Sequence, residues 1–310
     1  MNANEAHIGV NDLKYWFWLI LLGCLAIRPA AADSPAGRNL VDPVGRTIQV
    51  PADPQRVVSL APSITEIIFA LGRQDRLKGV SRFSDYPAEA GRLPKVGSYV
   101  QLDVERIVAL QPDLCIGIKD GNPLAVVEQL ERLGIPVFAL NPVNLQTAMQ
   151  SIEAVGKLLN ASPKAESIVQ DMQRRIRKIA AITSRADRKP RVFVQIGVSP
   201  IVSVGNGTFI NELISLAGGI NVAAGPNPYP RFSREQVIAL APDVLVISSM
   251  ARATVFAKVK SEWMQWPAIP AVRNKAVFIA PTNIFDRPTP RLVDGLEQMA
   301  RYIHPRLFSE

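Results

Sequence analysis

Glu105-Arg-Ile-Val-Ala-Leu-Gln-Pro-Asp-Leu-Cys-Ile116 recurs downstream as Glu235-Gln-Val-Ile-Ala-Leu-Ala-Pro-Asp-Val-Leu-Val246, and this recurrence decides the fold class. Each copy opens behind a good N-cap residue, Asp103 or Ser233, and its spacing predicts a short helix that ends at a Pro-Asp turn. The continuous apolar runs that follow, Leu114 to Ile118 and Val244 to Ile247, read as strands buried on both faces, as a parallel sheet requires. A second pair lies upstream, with Ile64-Thr-Glu-Ile-Ile-Phe-Ala-Leu-Gly72 echoed by Ile210-Asn-Glu-Leu-Ile-Ser-Leu-Ala-Gly218. Before these helical stretches come the β-rich runs Arg56 to Leu60 and Arg191 to Ile196, and each half closes on another, Pro136 to Leu140 and Ala276 to Ala280. Strands alternating with helices in two similar halves predict two doubly wound α/β lobes.

The sequence between the halves is different in kind. Leu145 to Leu159 reads as helical, and Ser162-Pro163-Lys-Ala-Glu166 then supplies an N-cap, a first-turn proline and an early carboxylate. Ala165, Ile168, Val169, Met172, Ile176, Ile179 and Ala180 keep the spacing of one buried stripe, so a single helix is expected from there to about Ser184. At 1.5 Å per residue it would be about 33 Å long, a rod that restrains hinge motion where a Gly/Ser linker would free it. The expected organisation is an N-terminal lobe over 33–143, linking helices over 144–189 and a C-terminal lobe over 190–310.

Residues 1–32 stand apart, because Lys14 precedes the apolar run Tyr15 to Ile27 and Ala30-Ala31-Ala32 follows it. The run is short for a bilayer span and ends on small residues, so the segment reads as a secretory signal peptide cut after Ala32. Leu21-Leu22-Gly23-Cys24 also resembles a lipoprotein box, in which Cys24 would carry the anchor. Either way the protein is expected in the periplasm.

The net charge of +8 is unchanged by loss of the leader, since Lys14 and Arg28 cancel Glu5 and Asp12. The basic residues are scattered, with mild clusters only at Arg174 to Lys178 and Arg185 to Arg191, so they read as solvated surface and no nucleic-acid partner is expected. The chain holds 2 histidines, His7 and His304, which leaves little for imidazole acid–base chemistry or metal capture. It has no Gly-x-x-x-x-Gly-Lys loop, no Gly-x-Ser-x-Gly elbow and no Cys-x-x-Cys; Gly205-Asn206-Gly207 reads as a turn, and Cys115 as a small buried hydrophobe. No enzyme activity, no metal site and no cofactor are expected. What remains is a set of aromatic and polar residues after strands, where ligands of doubly wound sheets bind: Phe83, Tyr86, Tyr99, Tyr229 and Asn283 to Arg287. Within that set Tyr86, which precedes Pro87, is expected to pack locally, as are Trp263 and Trp266 outside it.

Six segments carry a family resemblance: Leu60 to Glu66, Ser84-Asp-Tyr-Pro87, Glu105 to Leu114, Arg191 to Gly197, Ser233-Arg-Glu-Gln-Val237 and Phe285 to Arg291. Together they resemble the iron-siderophore and cobalamin class of periplasmic binding proteins, over roughly Arg56 to Arg301. The resemblance implies a helical-backbone fold and a cobalamin-like corrinoid clamped between the lobes, with a ferric siderophore or haem as the alternative. It also implies delivery to the permease subunits of an ABC importer and their ATPase by a monomer. Its ligand contacts fall on Phe83, Tyr99, Ile118, Tyr229, Asn283 and Arg287, and its permease-docking glutamates on Glu105 and Glu235. The cobalamin pattern has a tyrosine at 83, tryptophans at 99, 118 and 229, and an aspartate at 283, so aromatic faces persist at three places while the side chain at 118 is lost.

Overall fold

The computed structural model describes residues 37–248 and 253–308. The expected leader, with His7, Cys24 and the Ala32 junction, lies outside the described residues. The described chain begins with an antiparallel hairpin, β1 (Arg38–Val41) and β2 (Thr47–Val50). The N-terminal lobe then runs β3 (Val57–Ser59), α1 (Pro62–Ala70), β4 (Leu77–Val80), the small pair β5 (Gly97–Ser98) and β6 (Gln101–Leu102), α2 (Val104–Ala109), β7 (Leu114–Ile118), α3 (Leu124–Arg132) and β8 (Val137–Leu140). Its sheet has the order β4-β3-β7-β8, every pair parallel. The period of two along each strand splits the side chains between faces. Val57, Leu114, Ile116 and Phe138 join Ile64 and Ile67 of α1, whereas Val58, Cys115 and Val137 meet Ile107 of α2 and Leu130 of α3. Helices therefore cover both faces, and the apolar runs are buried because neither side meets water.

Two helices connect the halves, α4 (Leu145–Leu158) and α5 (Ser162–Thr183). Asn144 caps α4 in a reciprocal box with Thr147. In α5 Ala165, Val169, Met172 and Ile179 are buried, with Ile168 and Ile176 partly covered, so the predicted stripe is the inward face. The start differs from expectation. Ser162 is the first helical residue, the cap position is Ala161 without a side-chain bond, and Pro163 sits where a missing N–H costs nothing. The two helices approach closely at Gly156, where an added Cβ would come within 2.5 Å of the Ala165 Cβ.

The C-terminal lobe continues with β9 (Arg191–Gly197), β10 (Ile201–Ser203), α6 (Phe209–Leu216), β11 (Ile220–Asn221), β12 (Arg231–Phe232), α7 (Arg234–Ala239), β13 (Val244–Ile247), α8 (Ala253–Met264), α9 (Pro270–Arg273), β14 (Val277–Ile279), α10 (Thr282–Phe285) and α11 (Leu292–Ile303). Strands β9, β13 and β14 are parallel neighbours, and alternation again divides Val192, Val194, Val244 and Val246 from Phe193, Leu245 and Ile247. The lobes are not twins throughout, because β10 and β12 add an antiparallel edge that the four-stranded N-terminal sheet lacks.

Within the repeated unit the equivalence reaches single atoms. The Arg56 amide donates to Asp113 at 3.0 Å and its guanidinium to Leu110 O at 2.6 Å; the Arg191 amide donates to Asp243 at 2.9 Å and its guanidinium to Leu240 O at 2.9 Å. Gln111 and Ala241 share the left-handed backbone, at φ 48° and 44°. Asp103 and Ser233 cap their helices as the sequence predicts, accepting from Arg106 N and Gln236 N. The inner faces of both sheets, with Ile152, Ile179 and Leu296 of the helices between and behind them, form one continuous apolar cluster. Among the described residues no helix is long and apolar enough to cross a membrane.

Candidate functional site

A groove of about 420 Å³ opens between the lobes. Its walls come from segments that leave the carboxyl ends of strands: Ala61 to Ser63 after β3, Ile118 to Gly121 at the end of β7, Asn141 to Val143 after β8, and Asp286 to Pro288 beyond β14. Doubly wound sheets present ligands there because connections at that edge diverge and leave a crevice. Tyr99, Ile118, Tyr229 and Arg287 all line the groove, four of the six residues that the resemblance marks for ligand. Phe83 and Asn283 stand outside it. Phe83 is 47% exposed, and these two residues reach the site only through backbone carbonyls that accept from Arg287 and Arg291.

Tyr99 and Tyr229 come from opposite lobes. Burial raises the pKa of each phenol, and the Asp120 charge raises both further; Asp286 adds to the effect on Tyr99, and Tyr99 to that on Tyr229. Both rings are thus neutral at physiological pH and offer faces and hydroxyls rather than phenolates. Tyr99 is held by two neighbours that the sequence reading did not single out. Asn122 is buried and donates to Tyr99 O at 2.7 Å and Leu60 O at 3.1 Å while accepting from Ile118 N at 2.8 Å, tying three groove segments together. Gly121, at φ +126°, lies where any Cβ would strike the Tyr99 ring at 2.7 Å. A Gly-Asn pair three residues beyond the end of a buried strand was the available signal.

Arg287 lines the groove, yet both of its Nη atoms are already engaged. Its guanidinium binds Glu66 at 2.9 Å, Asp85 at 2.8 Å and the Phe83 carbonyl at 3.1 Å. Arg291 grips the other Glu66 oxygen at 2.8 Å and lies over the Tyr86 ring at 3.5 Å, so Tyr86 packs as expected although it is 43% exposed. Glu66 and Asp85 belong to the N-terminal lobe and the arginines to the C-terminal lobe, so the cluster is a bridge beside the groove. The repeat makes the bridge reciprocal. Glu212, the counterpart of Glu66, accepts the Leu145 amide at 2.7 Å at the start of α4, just as Glu66 holds Arg291 at the start of α11. A helix N-terminus favours a carboxylate, which suits Glu212 at the start of α4, whereas Glu66 is held by the two guanidiniums.

Asp286 lies next to this bridge and also lines the groove. One carboxyl oxygen accepts from Ser248 at 2.8 Å and the other is buried without a partner. Burial pushes its pKa up to about 6 against the lowering effects of Ser248 and Arg287.

Away from the groove, Cys115 is buried and its thiol pKa pushed up by burial, His304 packs its ring against Gly218 O, and Trp263 is buried with its indole donating to Gln195. Among the described residues no group of histidine, cysteine and carboxylate side chains could hold a metal ion. Glu105 and Glu235 are exposed in the first turns of α2 and α7. Each of these helices turns directly into the start of a parallel strand, β7 or β13, so its N-terminus lies toward the carboxyl edge of its sheet, the edge at which the groove opens. Backbone amide and Ser233 hydrogen bonds hold the Glu235 carboxyl below its ordinary range.

Two α/β lobes on a helical brace, sharing an aromatic groove, define a bilobal solute-binding protein. Residues 57–284 match the model of the periplasmic binding protein family, and the chain belongs to that family. It is 35% identical over 250 residues to the vitamin B12-binding protein of Vibrio parahaemolyticus, spanning 80% of this chain and 89% of that one. Among solved structures, the periplasmic vitamin B12 binding protein BtuF of Vibrio cholerae superposes with a TM-score of 0.72 at 30% identity, over 83% of this chain and 99% of that one. A periplasmic heme binding protein from Pseudomonas aeruginosa gives 0.75 at 28% identity, over 82% and 94%.

Proposed function

We propose that this chain is the extracytoplasmic substrate-binding subunit of an ABC importer and that it carries a corrinoid in the interlobe groove. The observation that carries the reading is the pair of neutral phenols, Tyr99 and Tyr229, set on opposite walls of one groove with Ile118 between strand end and loop. A flat macrocycle offers two faces, and aromatic rings on opposite walls suit both, each such contact adding about 0.5–1.5 kcal/mol beyond area burial. The vitamin B12-binding relatives support the same cargo.

In this reading the lobes over 33–143 and 190–310, joined by 144–189, hold the ligand through Tyr99, Ile118 and Tyr229, while Arg287 sets the groove's edge by joining the lobes. Phe83 and Asn283 contribute through the carbonyls that orient Arg287 and Arg291. Glu105 and Glu235, one on each lobe, are the docking carboxylates for basic residues of the permease. The protein works as a periplasmic monomer without catalysis, cofactor or nucleic acid, its leader either cut after Ala32 or replaced by an anchor at Cys24.

Equilibrium titration with cyanocobalamin, haemin and a ferric hydroxamate tests the cargo. Cyanocobalamin is expected to bind one per chain and more tightly than the other two; a tighter haemin or hydroxamate complex overturns the assignment.

A further inference from the structure

The groove's own charge is opposite in sign to that of the protein as a whole. The chain carries +8, but among the described residues the ionisable groups lining the groove besides the tyrosines are Asp120, Asp286 and Arg287. Arg287 is neutralised: with Arg291 it faces Glu66 and Asp85, two cations against two carboxylates. That leaves Asp120, exposed on the N-terminal lobe, and Asp286, on the C-terminal lobe with one oxygen buried and unpartnered. Their fields converge, since both oppose ionisation of the Tyr99 hydroxyl.

We propose that Asp120 and Asp286, lining the groove from opposite lobes, make it select macrocycles whose rim bears uncharged amides and reject those whose rim bears carboxylates. The proposal rests on the macrocycle reading above and goes further by naming the chemistry of the ligand's rim. An uncharged rim amide carries no charge for the two carboxylates to repel, and its N–H can donate to Asp120, which is exposed at the groove. A rim carboxylate would instead meet like charge in a partly desolvated site, where screening by water is weak.

Two matched pairs of probes test this on the wild-type chain, Asp286→Asn and Asp120→Asn: cyanocobalamin against the acid made by hydrolysing one of its rim amides, and the bis-amide of haemin against haemin itself. In the wild type each acid is expected to bind about tenfold more weakly than its amide. The ratio should fall toward one in either variant, with affinity for the amides changing less than affinity for the acids; thermal melts confirm that both variants fold. Equal binding of acid and amide by the wild type, or a ratio unmoved in both variants, overturns the proposal while leaving the corrinoid assignment standing. Discrimination within the haemin pair without corrinoid binding sustains the proposal and removes the assignment. Failure to bind any of the four probes removes both.

Discussion

Glu66 shows how much one buried charge can organise. It sits mid-helix with 4% exposure, yet each of its oxygens is met by a guanidinium from the other lobe. Glu66→Gln keeps the shape but leaves two arginines short of a counter-charge, and breaking one side of a buried ion pair costs about 3–5 kcal/mol. Urea denaturation should register a loss of that order. Glu212→Gln, which keeps a carbonyl for the Leu145 amide, should lose about 1 kcal/mol or less; equal losses in the two variants would mean that charge is not what Glu66 supplies. Asp286 makes a separate prediction about pH. Its folded pKa of about 6 exceeds the ordinary 3.8, so the native state binds the proton more tightly and stability falls as pH rises from about 4 to about 6. The span of about two pKa units bounds the loss at roughly 3 kcal/mol. Comparing denaturation of the wild type and Asp286→Asn at pH 4 and pH 7 checks it: the gap between them should change in that direction, and a constant gap refutes the shifted carboxyl.

Among the elements, the repeated helix–turn–strand was legible because a period of two, a cap residue and a Pro-Asp turn are all local signals. The strands buried on both faces, the Asp103 and Ser233 caps and the inward stripe of α5 follow from them. Harder to read were β10 and β12, two or three residues each, which pair across a long loop and carry too few positions for any alternation to register. The Glu66–Arg291 bridge joins residues more than two hundred positions apart, and a lone glutamate in an apolar helix gives no hint of its partner. Asn122 gives no local signal either, since its role depends on the Leu60 and Tyr99 carbonyls and the Ile118 amide, which come from separate segments. Of the marked ligand residues, the four on strand ends and adjoining loops do meet in the groove, while Phe83 and Asn283 meet the bridge through their backbone carbonyls. The α4–α5 contact yields a test at this scale. Gly156→Val would drive a branched side chain into Ala165, and overpacking of this kind costs about 1–3 kcal/mol. The paired variant Gly156→Ser should lose less, and indifference to both would show that the helices do not need the close approach.

For the whole molecule, three devices tie the lobes together: the shared apolar cluster, the rod of α5 with the Glu212 contact at the start of α4, and the Glu66 bridge to Arg287 and Arg291. Hinge motion on binding must strain all three, so the account expects a clamp that closes little. Solution scattering with and without cyanocobalamin should change the radius of gyration by less than about 1 Å, the range of preorganised complexes; contraction by several ångströms would mean that the braces yield. The central claim is that cargo sits between Tyr99 and Tyr229, and equilibrium dialysis of cyanocobalamin against the wild type and the Tyr99→Ala/Tyr229→Ala double variant tests it most directly. The account predicts one corrinoid per wild-type chain and about a hundredfold weaker binding in a double variant that still folds. Undiminished binding by that variant would contradict it.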